Sequence, residues 1–452
     1  MIARRAALGV CLGVGLALSA VGASAAPVAG IGSAGARASA IAPLAAEEQC
    51  TASTRLTTPP PALDVLQSEL AWGVTRGEGI VVAVVDSGVA ASNPHLQGII
   101  QGGVNLVPDG TDPAGTTDTY GHGTAVAGQI AAQRIEGSEV VGLAPGVRIL
   151  PVRVFAGTDD QQVQAGFGPS TARLADGIRY AADNGARIIN VSMSTSQNDP
   201  ALADAVAYAT GRGALVVGSS GNRDSTLGVE KNDGDGARYP AGDASAIGVA
   251  ATTIAGDATD ASIHGPHVSI AAPGAQIVTA SSAGGDCIFA GDSPATSFAA
   301  AYVSAAAALV AAAHPDETPA QWKYRLEASA ARGNPDARDD ASGWGIVQPY
   351  DAIVLRPGAG IRGPVSPFTT SDGTEPTPTP VPAIAVTEGV GPQAAAIAWG
   401  TAIGIGALTL LGAAAAIGVL ARRRRGDEEL GTDRPRAGGL YARIDGGTDV
   451  QG

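Results

Sequence analysis

From residue 63 to residue 355, short apolar runs alternate with segments of helical periodicity, and this alternation constrains the fold more than any other feature. Continuous runs of Val, Ile and Ala are typical of strands buried on both faces. Because such strands alternating with helices form covered parallel sheets, the sequence predicts a three-layer α/β fold with a mostly parallel central sheet. The predicted strands are residues 79–86, 148–155, 186–193, 214–222 and 246–252; the predicted helices are 171–185, 199–213 and 297–314; polar residues 161–170 predict an exposed loop.

The N-terminal end has the pattern of an export signal. Arg4 and Arg5 precede an apolar stretch from Ala6 to Val21, and small residues stand at positions 23 and 25. This order of basic, apolar and small residues predicts a signal peptide over residues 1–25. Residues 26–62 form a low-complexity extension. Because so short a segment does not bury enough surface to fold alone, we expect it to lie along the domain that follows.

The C-terminal end predicts a membrane anchor. Residues 356–393 are rich in proline and threonine, which indicates an extended linker. The 28 residues of 394–421 carry no charge, and Arg422 to Arg425 follow directly. An apolar run of this length followed by arginines predicts a single transmembrane helix, with 422–452 as a cytoplasmic tail and the main domain outside the cell. The alternative is a buried core helix.

Composition excludes some partners. Lys and Arg number 28 and Asp and Glu 42, and the resulting net charge of −14 argues against a nucleic-acid surface. No phosphate-binding GxxxxGK[ST] motif is present, and no GxGxxG follows the first predicted strand, which argues against nucleotide binding. We see no cluster of metal ligands, and we expect no cofactor. Beyond the signal the cysteines are Cys50 and Cys287, which would pair in an oxidising compartment or stay as two thiols.

Four polar residues stand where a parallel sheet places its functional side chains. Asp86 ends the first predicted strand, at the edge where open α/β sheets bind ligands. His122 opens a helical run between two glycines, which let another backbone pass close to the ring. Ser297 begins a long alanine-rich helix, and Asn222 follows a strand. Each has a structural alternative: a turn aspartate, a buried histidine, a helix N-cap serine and a turn asparagine.

Taken together, the order Asp86, His122, Asn222, Ser297 and the motifs "AVVDSGV", "GHGTAVAG" and "ATSFAA" resemble the subtilisin-like serine proteases, the peptidase S8 family. The resemblance covers residues 63–355 and implies a subtilisin-like fold. It implies that Asp86, His122 and Ser297 form a catalytic triad, with Asn222 as an oxyanion donor. It also implies no metal at the site. For substrate binding it implies a backbone strand of Ser192, Met193 and Ser194, and a specificity pocket lined by Ser219, Ser220 and Gly221.

The organisation of the whole chain is similar to that of the mycosins, the membrane-anchored proteases of type VII secretion systems. This similarity implies an extracytoplasmic endopeptidase that cuts exported proteins or peptides beside the secretion machinery. The alternative is a weakly active or inactive protease fold that serves as a scaffold for a secretion complex. Two positions depart from the subtilisin pattern, Ala295 for glycine and Ala301 for proline. If residue 295 required a positive φ, alanine would cost about 1 kcal/mol.

Overall fold

A parallel sheet, covered on both faces by helices, organises the chain around the predicted site. The computed structural model describes residues 50–223, 234–358, 360–368 and 417–418. Within these residues the sheet has seven strands in the order β2-β3-β1-β4-β5-β6-β7, and a separate hairpin pairs β8 with β9. The strands are β1 (Val81–Asp86), β2 (Val104–Asn105), β3 (Arg148–Arg153), β4 (Ile188–Val191), β5 (Leu215–Ser219), β6 (Ile247–Thr252), β7 (Ile270–Pro273), β8 (Ile277–Ala280) and β9 (Asp286–Phe289).

The helices begin where the sequence supplies caps. Asp199 accepts a hydrogen bond from the N–H of Ala201, and Pro200 takes the first helical position of one helix. Thr318 and Gln321 form a capping box at the start of another. The helices of the described residues are α1 (Ala62–Val65), α2 (Ser68–Trp72), α3 (His122–Ala131), α4 (Asp160–Gln164), α5 (Thr171–Asp183), α6 (Pro200–Gly211), α7 (Thr296–Ala313), α8 (Pro319–Ala328) and α9 (Pro349–Val354).

Side chains of alternating residues enter two separate cores, one on each face of the sheet. From β1, Val82 and Val84 pack with α3 and α7, whereas Ala83 and Val85 pack with α5 and α6. Successive side chains of a strand point to opposite faces, so a strand buried on both faces must be apolar throughout. The three-layer α/β prediction is therefore confirmed. All five predicted strands and all three predicted helices are present.

Several elements differ from the prediction. Not predicted were β2 and β7, which form the two edges of the sheet, the β8–β9 hairpin, and the helices α1, α2, α8 and α9. Residues 161–170 are not a loop throughout, because α4 occupies their first half. Its cap is Asp159, whose carboxylate accepts hydrogen bonds from the N–H groups of Gln161 and Gln162.

The first residues that the structure describes, 50–56, lie against the β8–β9 hairpin. We call residues 50–56 the N-terminal strap. Cys50 and Cys287 form a disulfide with a Cα–Cα distance of 5.5 Å, which confirms the predicted pairing. The N–H of Leu56 donates to Asp286 Oδ2 over 2.7 Å, and the N–H of Asp286 donates to the carbonyl of Thr54. The strap lies along the domain, as expected of the extension to which it belongs.

The chain divides into two compact units, residues 1–370 and residues 371–452. In the second the structure describes Ile417 and Gly418, which are helical. The predicted signal peptide, the predicted tail and the rest of the predicted transmembrane segment lie outside the described residues. Among those described, one helix is long and apolar enough to cross a membrane. It is α7, and 89% of its apolar window is buried inside the protein, as expected of a core helix.

Candidate active site

Asp86, His122 and Ser297 form one continuous hydrogen-bonded line at the carboxyl edge of the sheet. His122 Nδ1 lies 2.8 Å and 3.0 Å from the two carboxylate oxygens of Asp86. On the other side of the ring, His122 Nε2 lies 3.0 Å from Ser297 Oγ. Because a carboxylate only accepts hydrogen bonds, Nδ1 carries the proton and Nε2 presents its lone pair to the serine hydroxyl. The three residues are separated by 36 and 175 positions in the chain.

The site lies where the order of the strands reverses. The chain passes from β1 toward β2 and β3 on one side and resumes with β4 on the other. Asp86 is the last residue of β1, so its side chain projects into the crevice that such a reversal opens. The N–H of Ser87 donates to Asp86 Oδ1 over 2.7 Å and fixes the carboxylate. The topology of the sheet thus supplies the position of the acidic residue.

Two glycines allow His122 to approach Asp86. Gly121 has a φ of 89°, a left-handed conformation that turns the chain into α3, whose first residue is His122. At Gly123, a Cβ atom would lie 2.1 Å from the carbonyl oxygen of Gly88. Any side chain there would push α3 away from the loop after β1. The glycines therefore flank the histidine for the reason the sequence analysis gave.

Asp118, which was not predicted as a site residue, holds the start of α3 in place. Its carboxylate accepts hydrogen bonds from the N–H groups of Gly121 and Thr124 and from the hydroxyls of Thr124 and Ser87. Burial raises the pKa of Asp118, whereas these hydrogen bonds favour the ionised form. Ser87 adjoins Asp86 and Gly121 adjoins His122. By binding both neighbours, Asp118 helps to position two residues of the site. An acidic residue just ahead of a helix was the available signal.

Ser297 and Asn222 meet at the N-terminus of α7. Ser297 is in the first turn of α7, where backbone N–H groups point out of the helix without intrahelical acceptors. The N–H of Thr296 donates to Asn222 Oδ1 over 2.8 Å, so the amide nitrogen of Asn222 is the donor end of that side chain. Ala295 has a φ of −122°, which is ordinary extended backbone. Alanine at this position therefore causes no backbone strain, and the expected cost is absent.

The two predicted substrate segments are neighbours. Ser192 to Ser194 follow β4, and the hydroxyl of Ser219 donates to the carbonyl of Ser192 over 3.1 Å. Met193 is 1% exposed and packs into the core under α5 and α6, so it offers the site only its backbone. A Cβ atom on Gly221 would lie 3.0 Å from Ser194 Oγ. Their contact with a substrate stays a prediction.

A further histidine supports the residues before Asn222. His267 is 4% exposed, and its Nε2 lies 3.0 Å from the carbonyl oxygen of Ser220. Its Nδ1 is buried with no hydrogen-bond partner among the described residues. Burial is the main cause that lowers the pKa of His267 to about 4. The ring is therefore neutral near pH 7, and it holds the Ser220 peptide group in place as a donor.

In the part of the chain that the structure describes, no group of three or more His, Cys, Asp or Glu side chains is arranged to hold a metal ion. What the site does offer is a hydroxyl beside an imidazole base that a carboxylate orients. In this arrangement a serine becomes a nucleophile, and the adjacent helix N-terminus and asparagine amide suit a developing oxyanion. The fold and the site together define a serine hydrolase built on a parallel sheet.

Comparison with known proteins specifies this class. The family model of the subtilases, peptidase S8, matches residues 77–345, and the chain belongs to this family. It is 34% identical to thermitase of Thermoactinomyces vulgaris over 212 residues, which are 47% of this chain and 69% of that protein. It is 34% identical to mycosin-3 of Mycobacterium tuberculosis over 320 residues, which cover 61% of this chain and 68% of mycosin-3.

Solved structures agree with the sequence comparison. The MycP3 protease from the type VII (ESX-3) secretion system superposes with a TM-score of 0.59 at 29% identity, over 68% of this chain and 91% of that one. MycP1 from the ESX-1 type VII secretion system gives a TM-score of 0.58 at 27% identity, over 69% and 91% of the two chains. The chain is thus a subtilisin-like serine endopeptidase related to the mycosins.

Proposed function

We propose that Asp86, His122 and Ser297 are the catalytic residues of this endopeptidase. One observation supports the proposal above all, the 3.0 Å contact of His122 Nε2 with Ser297 Oγ while Asp86 holds Nδ1. A serine with an ordinary structural role needs no base, and a buried histidine needs no hydroxyl. The alignment of the three groups gives each the role that acyl transfer requires.

The reaction proceeds in two halves. Ser297 Oγ attacks the carbonyl carbon of the substrate peptide while its proton passes to His122 Nε2, and Asp86 stabilises the imidazolium that forms. The oxyanion accepts hydrogen bonds from the Asn222 amide and the Ser297 N–H; one such donor typically contributes about 2.7–4 kcal/mol to transition-state stabilisation. His122 then protonates the leaving amine. Water, activated by the same histidine, releases the acyl half and restores the hydroxyl.

We further propose that the protease domain, residues 63–355, works at the outer face of a membrane. A cleaved signal over 1–25, a linker over 356–393 and a transmembrane helix over 394–421 would export and anchor it. The disulfide between Cys50 and Cys287 suits an oxidising compartment outside the cytoplasm. The structures of MycP1 and MycP3 come from type VII secretion systems, and we propose the same association here, with exported proteins as substrates.

An active-site probe tests the catalytic assignment. The full-length protein, purified in detergent, is treated with a fluorophosphonate, which reacts with an activated serine. We expect labelling of the wild type and none of Ser297→Ala. The matched control is Ser304→Ala, because Ser304 lies in the same helix and is fully buried, with its hydroxyl donating to Asn190. A folded wild type that stays unlabelled would contradict the proposal and favour the scaffold alternative.

A further inference from the structure

We propose that the phenyl ring of Phe298 stabilises the protonated form of His122 by stacking on the face of its imidazole. This inference rests on the proposed function, in which His122 becomes an imidazolium while Ser297 reacts. In this proposal Phe298 takes no part in the proton transfer itself. It acts through the histidine and is a positioning residue.

The geometry of the two rings is that of a stacked pair. Their centroids lie 5.1 Å apart, and the ring planes are inclined by 26°. His122 is 1% exposed and Phe298 is 4% exposed, so little water reaches the interface. A cation within about 6 Å of an aromatic centroid is attracted by the negative face of the ring, and more strongly when both are removed from water. The neutral imidazole gains much less from that face, so the contact favours the charged form.

The edges of the imidazole are already occupied by hydrogen bonds. Asp86 of β1 lies at Nδ1, and Ser297 of α7 lies at Nε2. From the loop before α3, the Asp118 carboxylate binds the backbone on both sides of the histidine. The charged group that contacts the imidazole ring directly is thus the Asp86 carboxylate, at Nδ1. Phe298 adds its stabilisation on a face of the ring, where hydrogen bonds do not form.

Phe298 reaches this position because it follows Ser297 in the chain. Successive residues of an α-helix are rotated by about 100°, so the serine can meet the edge of the imidazole while the phenylalanine meets its face. The phenyl ring also packs against Phe289 of β9, at a centroid distance of 5.9 Å. The carbonyl of Phe298 accepts a hydrogen bond from Gln129 Nε2 of α3, the helix that carries His122.

Fluorinated phenylalanines at position 298 separate electrostatics from packing. Each ring fluorine withdraws charge from the aromatic face and changes the shape of the side chain little. We incorporate phenylalanine with one, two and three ring fluorines into the full-length protein in detergent and follow ¹³Cε1-labelled histidine by NMR against pH. The His122 signal is the one missing from His122→Gln. We expect the pKa of His122 to fall in step with the fluorine count, by about half a pH unit at three fluorines.

The same series at position 289 is the control, because Phe289 packs on Phe298 without being the ring stacked on His122. We expect it to leave the titration of His122 unchanged. A pKa that does not follow the fluorine count at position 298, or that changes equally at position 289, would overturn the inference. In Phe298→Leu the aromatic face is lost altogether, and the pKa should fall at least as far as with three fluorines.

The NMR titration does not require enzyme activity. The pKa of His122 can therefore be measured even if the fluorophosphonate fails to label Ser297. A stepwise fall in the pKa without labelling would support the stacking and contradict only the catalytic assignment. Labelling with an unchanged pKa would contradict the stacking alone. Where the enzyme is active, we also expect kcat/KM to fall about three-fold at three fluorines, at a pH where His122 is neutral in every variant.

Discussion

In the described part of the chain, two buried clusters each combine an aspartate, a histidine and a serine, and their hydrogen bonds are arranged differently. In the candidate active site, His122 lies between Asp86 and Ser297. In the second cluster, beside the N-terminal strap, His95 Nε2 lies 2.8 Å from Asp286 Oδ1, and Ser138 Oγ lies 2.6 Å from Asp286 Oδ2. Burial does not distinguish them, because His122 is 1% exposed and His95 is fully buried.

The difference lies in what each ring nitrogen faces. His122 has an acceptor at Nδ1 and a hydroxyl at Nε2, so one nitrogen keeps a lone pair that can take a proton. His95 faces the carbonyl oxygen of Gln133 over 2.6 Å at Nδ1 and the carboxylate of Asp286 at Nε2, so both of its ring nitrogens point at oxygen acceptors. The hydroxyl of Ser138 also donates to Asp286. In the second cluster the serine hydroxyl thus binds the carboxylate more closely than the imidazole, and the order of the first cluster is not reproduced.

The same substitution in each cluster should give opposite results. Asp86→Asn keeps the size of the side chain but favours the wrong tautomer of His122, so kcat should fall by about 10⁴-fold with little change in unfolding free energy. Asp286→Asn replaces the buried carboxylate that hydrogen-bonds His95, Ser138 and the N–H of Leu56, which should lower the unfolding free energy by about 1–3 kcal/mol. Peptidase assays and urea unfolding of both variants measure the two effects.

The control for this pair is the activity of Asp286→Asn at a temperature where it is fully folded, which should match the wild type. If Asp286→Asn lost kcat as strongly as Asp86→Asn while folded, the second cluster would belong to the reaction. If Asp86→Asn kept its activity, the first would not.

Sequence predicted the first cluster well because its residues lie in motifs with a physical reason. A strand that ends in Asp86, glycines around His122 and a helix that starts at Ser297 each show locally where the side chain will be. The sheet between them is predictable from apolar runs buried on both faces. Asp118 was not predicted because its role depends on how the loop before α3 meets both the start of that helix and Ser87 after β1.

The second cluster has no such local signal. His95 and Asp286 are 191 positions apart, and neither stands in a recognisable motif. Their contact depends on how the β8–β9 hairpin packs on the loop after β1, which no local pattern encodes. For the same reason the edge strand β7 was missed: four residues between loops have too little pattern to distinguish a strand. Motifs therefore predict the residues of the candidate site better than they predict buried structural contacts.

The disulfide offers another test of the second cluster's structural role. Cys287 adjoins Asp286, and the tether holds the N-terminal strap, whose Leu56 N–H donates to that carboxylate. Replacing both cysteines with serine should lower the unfolding free energy by about 2–4 kcal/mol, because the unfolded chain gains freedom. Activity at a temperature where the variant is folded should remain.

Urea unfolding in oxidising and reducing buffer measures the effect, and the double variant should show no response to reductant. Equal stability of wild type and variant would show that the tether contributes little.

A third buried histidine, His267, sharpens the comparison because burial lowers its pKa. Its pKa in the folded protein is about 4, below the value of 6.5 for an unperturbed histidine. As pH falls from about 6.5 to 4, this histidine becomes protonated in the unfolded chain but stays neutral in the folded protein. The unfolding free energy therefore falls over that pH range. The loss due to this residue should reach at most about 3 kcal/mol.

His267→Gln does not titrate, and its unfolding free energy should fall less than that of the wild type between pH 7 and pH 4. If the unfolding free energies of the two proteins changed equally with pH, His267 would be protonated in the folded state as readily as in the unfolded chain. The role of a neutral His267 as a donor to the Ser220 carbonyl would then be wrong.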